Sequence, residues 1–269
     1  MIKLVAIDLD GTLLSDDKQL SLANIEAIQY LIDRDIRVVL CTGRPYLAMK
    51  NFVPELGIDN PDEYIITFNG SLVQRADNGE VLISDTITTT DMLNWYKELS
   101  RVNLPMNIVD QKWVYEPTSY PEGHESFYTT SVTTAPSKVK DFYSFEEDHQ
   151  FNKIVVTINE DYLDQQWQEV NPDLIHNFAV VKSHPFQTEI GKRGVTKGNA
   201  LRLLGEKLGI DSSEMMAFGD QGNDYTMISY AGIGVAMGNA VSEIKDIADY
   251  VTDSNNDDGV AKGIYHYIK

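Results

Sequence analysis

The sequence predicts an α/β fold: a doubly wound, mostly parallel sheet interrupted by an inserted α+β segment. Three observations predict it. Apolar runs of strand length alternate with stretches of helical periodicity, beginning with a β–α–β pattern over residues 4–41. Three of the runs end in short polar, glycine-containing stretches, at residues 8–12, 42–45 and 219–224. Ligands bind at such strand ends in open α/β sheets. Over residues 84–189 the grammar changes to short strands and irregular helices.

The chain has 269 residues and is 42% hydrophobic, enough for one large domain or two modest ones. Its formal net charge of −19 repels nucleic-acid backbones and anionic membrane surfaces, so neither is an expected partner. A site for an anionic ligand must then supply its own local positive charge. The single cysteine, Cys41, excludes an intrachain disulfide and fits a reducing compartment. Met1-Ile2-Lys3 runs straight into the first strand without a signal-peptide pattern, and no apolar run approaches the ~18 residues of a membrane span. A cytoplasmic location is the expectation.

Leu4 to Ile7 reads as a buried strand, followed by Asp8-Leu9-Asp10-Gly11-Thr12. Residues i and i+2 of a strand share a face, so Asp8 and Asp10 point into one place while Leu9 packs inward. Two carboxylates so close repel unless a cation or a proton intervenes. A plain strand with an Asp-Gly turn is the alternative. Ser21 can cap a helix carrying Leu22, Ile25, Ile28, Leu31 and Ile32, and Arg37 to Cys41 is the second strand. Thr42-Gly43-Arg44-Pro45 then offers a hydroxyl and backbone amides at a strand-to-helix junction, a natural phosphate cradle. Pro45 suits the start, and Gly57 the end, of a helix over residues 46–56. Residues 64–68 form a third strand. Asn69-Gly70 follows and reads equally as site border or turn, and Asp77-Asn78-Gly79 marks a hairpin.

Within residues 84–189 there is no metal-spaced cluster and no phosphate loop. Lys197 then opens a helix bearing Ala200, Leu201, Leu204 and Leu208. A cation is unfavourable at a helix start, which implies an anionic partner for it. Lys192 and Arg193 read as surface or hinge residues. Glu214 to Phe218 is a buried strand ending in Gly219-Asp220-Gln221-Gly222-Asn223-Asp224, where Asn223 or Asp224 can also start the next helix. Asn255-Asn256-Asp257-Asp258-Gly259-Val260 carries no assigned chemistry.

Asp8-Leu9-Asp10-Gly11-Thr12, Thr42-Gly43-Arg44, Lys197-Gly198 and Gly219-Asp220-x-x-Asn223-Asp224 resemble, in order, the four motifs of the haloacid dehalogenase-like phosphatases. The whole chain looks like the Cof-type branch, mostly bacterial sugar-phosphate phosphatases. The resemblance implies a Rossmann-like core of residues 1–83 and 190–269, with residues 84–189 as an α+β cap that selects substrate. It implies Asp8 as nucleophile, Asp10 as acid and base, and Mg²⁺ held by Asp8, the Asp10 backbone carbonyl and Asp220. Asp224 ligates or orients. Thr42, the Leu9 and Gly43 amides, Lys197 and Asn223 hold phosphoryl oxygens, and Arg44 fits the branch pattern. The implied ligand is a small phosphorylated metabolite. A phosphotransferase or mutase using the same intermediate, and a non-enzymatic receiver-like regulator, are the alternatives.

Overall fold

The computed structural model describes residues 1–133 and 135–269. They fall into two compact units, residues 1–84 with 196–269, and residues 85–195.

Among the described residues the first unit builds an eight-stranded sheet. Its order is Tyr250–Val251, Ile233–Ala236, Met215–Gly219, Leu4–Asp8, Arg37–Cys41, Tyr64–Thr67, Leu72–Arg75 and Val81–Ser84. Pairing is parallel from Tyr250–Val251 through Tyr64–Thr67, and the last two strands turn back antiparallel. Every residue of Leu4–Asp8 and of Met215–Gly219 is buried. Such buried runs, apolar up to their last residue, belong to parallel strands covered on both faces. The chain winds outward one way from Leu4–Asp8 and the other way from Met215–Gly219, and these two strands are neighbours. Right-handed crossovers in opposite directions put helices on opposite faces and leave a crevice where the order reverses.

Local chemistry fixes the helices that flank this crevice. Ser21 accepts from the Asn24 backbone N–H and starts Leu22–Ile32. Thr196 accepts from the Asn199 N–H and starts Lys197–Leu208, which Gly209 closes at φ +68. The helix expected over residues 46–56 is instead a 3₁₀ turn, Tyr46–Met49, and a separate short helix, Phe52–Glu55. Pro54 is the reason. It has no N–H to bond the carbonyl of Lys50, and its ring clashes with that carbonyl in a continuous helix. Gly57, at φ +69, ends the segment as its sequence suggests.

In the second unit the described residues form a six-stranded sheet. Its order is Phe178–His184, Gln187–Lys192, Lys153–Thr157, Asn107–Val109, Val114–Glu116 and Ser137–Val139. Helix Thr89–Arg101, started by a Thr88–Asp91 capping box, buries Met92, Trp95 and Leu99 in a core with Ile108, Phe151, Ile154 and Val156. Strand Gln187–Lys192 was not legible, since its first two residues, Gln187 and Thr188, are polar and yet both buried. It pairs on both sides, so this unit runs on to Val195. Among the described residues no helix is long and apolar enough to cross a membrane.

Candidate active site

The crevice between Leu4–Asp8 and Met215–Gly219 collects carboxylates. Ile7 pairs with Phe218, so Asp8 and Asp220 leave adjacent strand ends together. Ligand oxygens of Asp8, Asp220 and Asp224 all lie within 4.8 Å of one another, and all three residues are buried. Thr12 fixes Asp220 by donating from Oγ1 to Oδ1 at 3.0 Å. Gly11 is obligatory here. Its φ is +84, and a Cβ on it would stand 2.5 Å from Asp220 Oδ2.

Lys197 enters this cluster from the first position of its helix. Its side chain is fully buried, and Nζ donates to Asp8 Oδ1 at 2.5 Å and to Asp224 Oδ1 at 2.6 Å. The anionic partner that its position implies is thus supplied by the protein itself. Burial opposes the ammonium, but Asp8 and Asp224 outweigh it and raise its pKa. Burial pushes the Asp8 carboxyl up to about 7 against the pull of Lys197, with Asp224 and Asp220 adding repulsion. Burial, then Asp224, also raises Asp220. Asp224 has both oxygens engaged, since Oδ2 accepts from the backbone N–H groups of Asp220 and Gln221 at 2.9 and 3.0 Å. It also stands at the start of helix Tyr225–Tyr230. Asp8 and Asp220, two hard oxygen donors with raised pKa values, suit a small divalent cation, which would relieve their repulsion.

Asp10 lies apart from this cluster and half-buried. Arg44 grips it with two bonds, Nε to Oδ2 at 2.7 Å and Nη2 to Oδ1 at 2.6 Å. Lys18 Nζ approaches Oδ1 at 2.9 Å. Burial works to raise the Asp10 carboxyl, and the bonds from Arg44 and Lys18 overcome it and hold it below the usual carboxylate range. Lys18 escaped the sequence reading because no spacing connects it to Asp10. It returns only through the fold of residues 11–20.

Thr42 is buried, and its Oγ1 accepts from the Arg44 backbone N–H at 3.1 Å. Asn69 sits beside it with φ +56, donating its backbone N–H to the Thr42 carbonyl at 3.0 Å. Its side-chain oxygen accepts from Asn223 Nδ2 at 3.1 Å. A Cβ on Gly43 would stand 3.1 Å from Asn69 Oδ1. Asn69 is therefore more than a turn residue, joining the 42–44 stretch to the 219–224 stretch. Leu9 is fully buried, its carbonyl bonded by the Leu14 N–H at 2.9 Å. Lys192 belongs to the second unit, where it is ion-paired with Asp85.

A family model described as haloacid dehalogenase-like hydrolase matches residues 5–264. The Bacillus subtilis protein named 5-amino-6-(5-phospho-D-ribitylamino)uracil phosphatase YcsE is 34% identical, over 99% of this chain and 96% of its own. The Escherichia coli protein named pyridoxal phosphate phosphatase YbhA is 29% identical, over 99% of this chain and 98% of its own. The crystal structure of TM0651 from Thermotoga maritima superposes with a TM-score of 0.86 at 26% identity, covering 100% of this chain and 98% of that one.

Proposed function

Since the chain belongs to the haloacid dehalogenase-like hydrolases, we propose that this phosphatase cleaves small phosphate monoesters through a phosphoryl group carried on Asp8. One observation carries the reading. A carboxylate at the switch point of a parallel sheet is held at 2.5 Å by a fully buried lysine, beside a second strand-end carboxylate. Buried cation and carboxylate together favour a site built around a transferring anion.

Each residue has a task. The Asp8 carboxylate attacks phosphorus, an Asp8–phosphorus bond forms, and the ester bond to the leaving oxygen breaks. Asp10, ionised while Arg44 and Lys18 hold it, must leave that grip and take up a proton from solvent before it gives one to that oxygen. A water oxygen then attacks phosphorus, Asp10 takes the water proton, and the Asp8 bond breaks to release phosphate. Lys197 offsets charge on Asp8 and on the phosphoryl oxygens. Thr42, the Leu9 and Gly43 amides and Asn223 hold the remaining oxygens. Arg44 holds the ionised Asp10 carboxylate in the resting site. The donor set of Asp8, Asp220 and the Asp10 backbone carbonyl fits Mg²⁺, and Asp224, with both oxygens occupied, orients Lys197 and the 220–221 backbone. Bound there, Mg²⁺ supplies positive charge to the phosphoryl oxygens.

The relatives are named for a phosphorylated ribityl chain and for pyridoxal phosphate, which supports a small phosphorylated metabolite as the substrate. A sugar phosphate is our first choice. We assign the choice of ester to the second unit, since residues 85–195 carry none of the groups above.

The test is phosphate release from a panel of phosphorylated metabolites, with Mg²⁺ and in excess chelator. Rapid acid quench and mass analysis then look for phosphate on the peptide containing Asp8. We expect Mg²⁺-dependent turnover and a labelled Asp8 peptide. Undiminished turnover in chelator, or label on another residue, would overturn the mechanism. Transfer to an added sugar in place of water would move the reaction to the phosphotransferases.

A further inference from the structure

The turn of residues 68–70 joins strand Tyr64–Thr67 to its antiparallel neighbour Leu72–Arg75. All three of its residues take positive φ, +50 at Phe68, +56 at Asn69 and +104 at Gly70. For a bulky, buried residue such as Phe68 this conformation is costly. One bond closes the turn on itself, from the Ser71 N–H to the Phe68 carbonyl at 3.2 Å. Other bonds lead away from the hairpin. The Phe68 N–H donates to the Arg44 carbonyl at 3.3 Å, and the Asn69 N–H to the Thr42 carbonyl at 3.0 Å. Asn69 Oδ1 accepts from Asn223 Nδ2 at 3.1 Å. Gly70 lies against the start of helix Lys197–Leu208, where a Cβ on it would stand 2.3 Å from the Thr196 carbonyl oxygen and 3.1 Å from the Lys197 nitrogen. The turn therefore meets the 42–44, 196–197 and 219–224 stretches at once, and joining two strands requires none of these contacts.

Resting on the reading of the Gly43 amide and Asn223 as groups that hold phosphoryl oxygens, we infer that Asn69 is a positioning residue that aims both of these donors at one phosphoryl group. Its backbone serves the first donor. The Thr42 carbonyl and the Gly43 N–H belong to one planar trans peptide, so a bond on the carbonyl fixes the direction in which the N–H points. Its side chain serves the second donor. An amide nitrogen carries two N–H groups, and Asn69 Oδ1 occupies one of those on Asn223, which leaves the other for a phosphoryl oxygen. Asn223 is exposed and stands on the short 3₁₀ turn Gly222–Asp224, so without that bond its amide is free to rotate. The left-handed backbone lets one residue reach both partners. Asparagine tolerates that conformation better than most residues do. Strain such as that at Phe68 persists where the surroundings enforce it, and it clusters at working sites.

The experiment uses the full chain with Mg²⁺, the best ester from the metabolite panel, and inorganic phosphate as a competitive inhibitor. Asn69→Gly removes the amide but keeps the backbone, because glycine adopts positive φ at no steric cost. It is expected to melt close to the wild type, to lower kcat/KM by about tenfold, as a small misplacement of a working group does, and to weaken inhibition by phosphate. Asn223→Ala should give losses of similar size. Adding Asn69→Gly to Asn223→Ala should cost little more, since the two side chains act as one unit. Asn69→Val in the same Asn223→Ala background should still lower kcat/KM, because a β-branched residue resists φ +56 and draws the N–H away from Thr42. Asn69→Ala repeats the test should Asn69→Gly fold poorly. Asn103→Gly makes the same exchange at a left-handed asparagine of the second unit, and should leave kcat/KM and phosphate inhibition unchanged. A lowered Tm with kinetics intact in Asn69→Gly, or losses that add in full in the Asn69→Gly, Asn223→Ala double variant, would overturn the inference. So would an Asn69→Val that costs nothing beyond Asn223→Ala. Asn223→Ala by itself separates the two levels. Should it leave kcat/KM and phosphate inhibition unaltered, the reading of Asn223 as a phosphoryl-holding group fails. Should it impair both while Asn69→Gly impairs neither, only the positioning role fails.

Discussion

Asp8 and Asp10 are chemically identical, two residues apart, and placed in opposite surroundings. Asp8 faces a lysine with no solvent exposure, and burial drives its carboxyl up to about 7. Asp10, its side chain 38% exposed, faces two partly exposed cations, and their bonds hold its carboxyl below the ordinary range despite partial burial. The lesson is that one strand end can hold two carboxyls in opposite states if the fold divides the water between them. A group that attacks phosphorus gains from a dry, fixed pocket, whereas a group that passes protons to water gains from standing at the boundary.

The strongest way to break this contrast is to replace each carboxylate by its amide. Asp8→Asn should reduce turnover of alkyl and aryl esters alike by at least about 10⁴-fold, as loss of a nucleophile does elsewhere. Asp10→Asn should cost ~10²–10⁴-fold on an alkyl ester. On an aryl ester it should give a burst followed by slow turnover, with phosphate accumulating on Asp8. Rapid-mix kinetics on both esters decides the matter, and identical profiles for the two variants would erase the division of roles.

Replacing the cations should separate the two sites by stability as well as rate. Lys197→Met leaves Asp8 and Asp224 buried without their counter-charge, a change that typically costs about 3–5 kcal/mol. It should also lower kcat/KM by about 10²-fold or more. Arg44→Met breaks a partly exposed pair, worth no more than about 1 kcal/mol, and leaves Lys18 on Asp10. Lys192→Ala should leave kcat/KM unchanged. Urea melts at neutral pH and kinetics on one ester test all three, and equal losses of stability at Lys197 and Arg44 would show that burial does not distinguish the sites.

The smallest effect isolates burial from catalysis. Glu63 lies just before strand Tyr64–Thr67, away from both carboxylates, with its Oε2 buried and unbonded among the described residues. Burial raises its pKa from 4.5 to about 7, opposed by Arg37 and a backbone bond from Val38. An acid with a raised folded pKa contributes fully below its unfolded value and costs stability as pH rises towards the folded one. The Tm of the wild type should therefore fall relative to Glu63→Gln between about pH 4.5 and 7, by a few degrees at most. A gap that shrinks over that window would refute burial as the cause.

Much of the first unit was legible because its signals are local. Leu4 to Asp8 and Met215 to Gly219 are continuous apolar runs ending in acid and glycine, and only a doubly covered parallel strand needs that pattern. What remained hidden depends on return paths. Lys18 reaches Asp10 around a loop, and Asn69 meets Asn223 across 154 residues of sequence. The broken helix after Pro45 was in principle readable, since Pro54 removes the bond that continuity requires. Gln187 and Thr188 hid a strand, because buried polar residues mimic a loop when their partners are unknown.

The bond between Asp8 and Lys197 joins residues 189 positions apart, and the strand neighbour Met215–Gly219 comes later still. At ~5–20 residues per second, roughly 10–40 s pass during synthesis between the emergence of Asp8 and that of Lys197. Throughout that interval Leu4–Asp8 has one edge with no partner, and it is among the most apolar segments of the molecule. Unpaired apolar edges invite pairing with other chains. Leu4–Asp8 is therefore an apolar edge that waits on the last quarter of the chain for its second neighbour, and the ribosome-bound stage is where shielding of that edge matters.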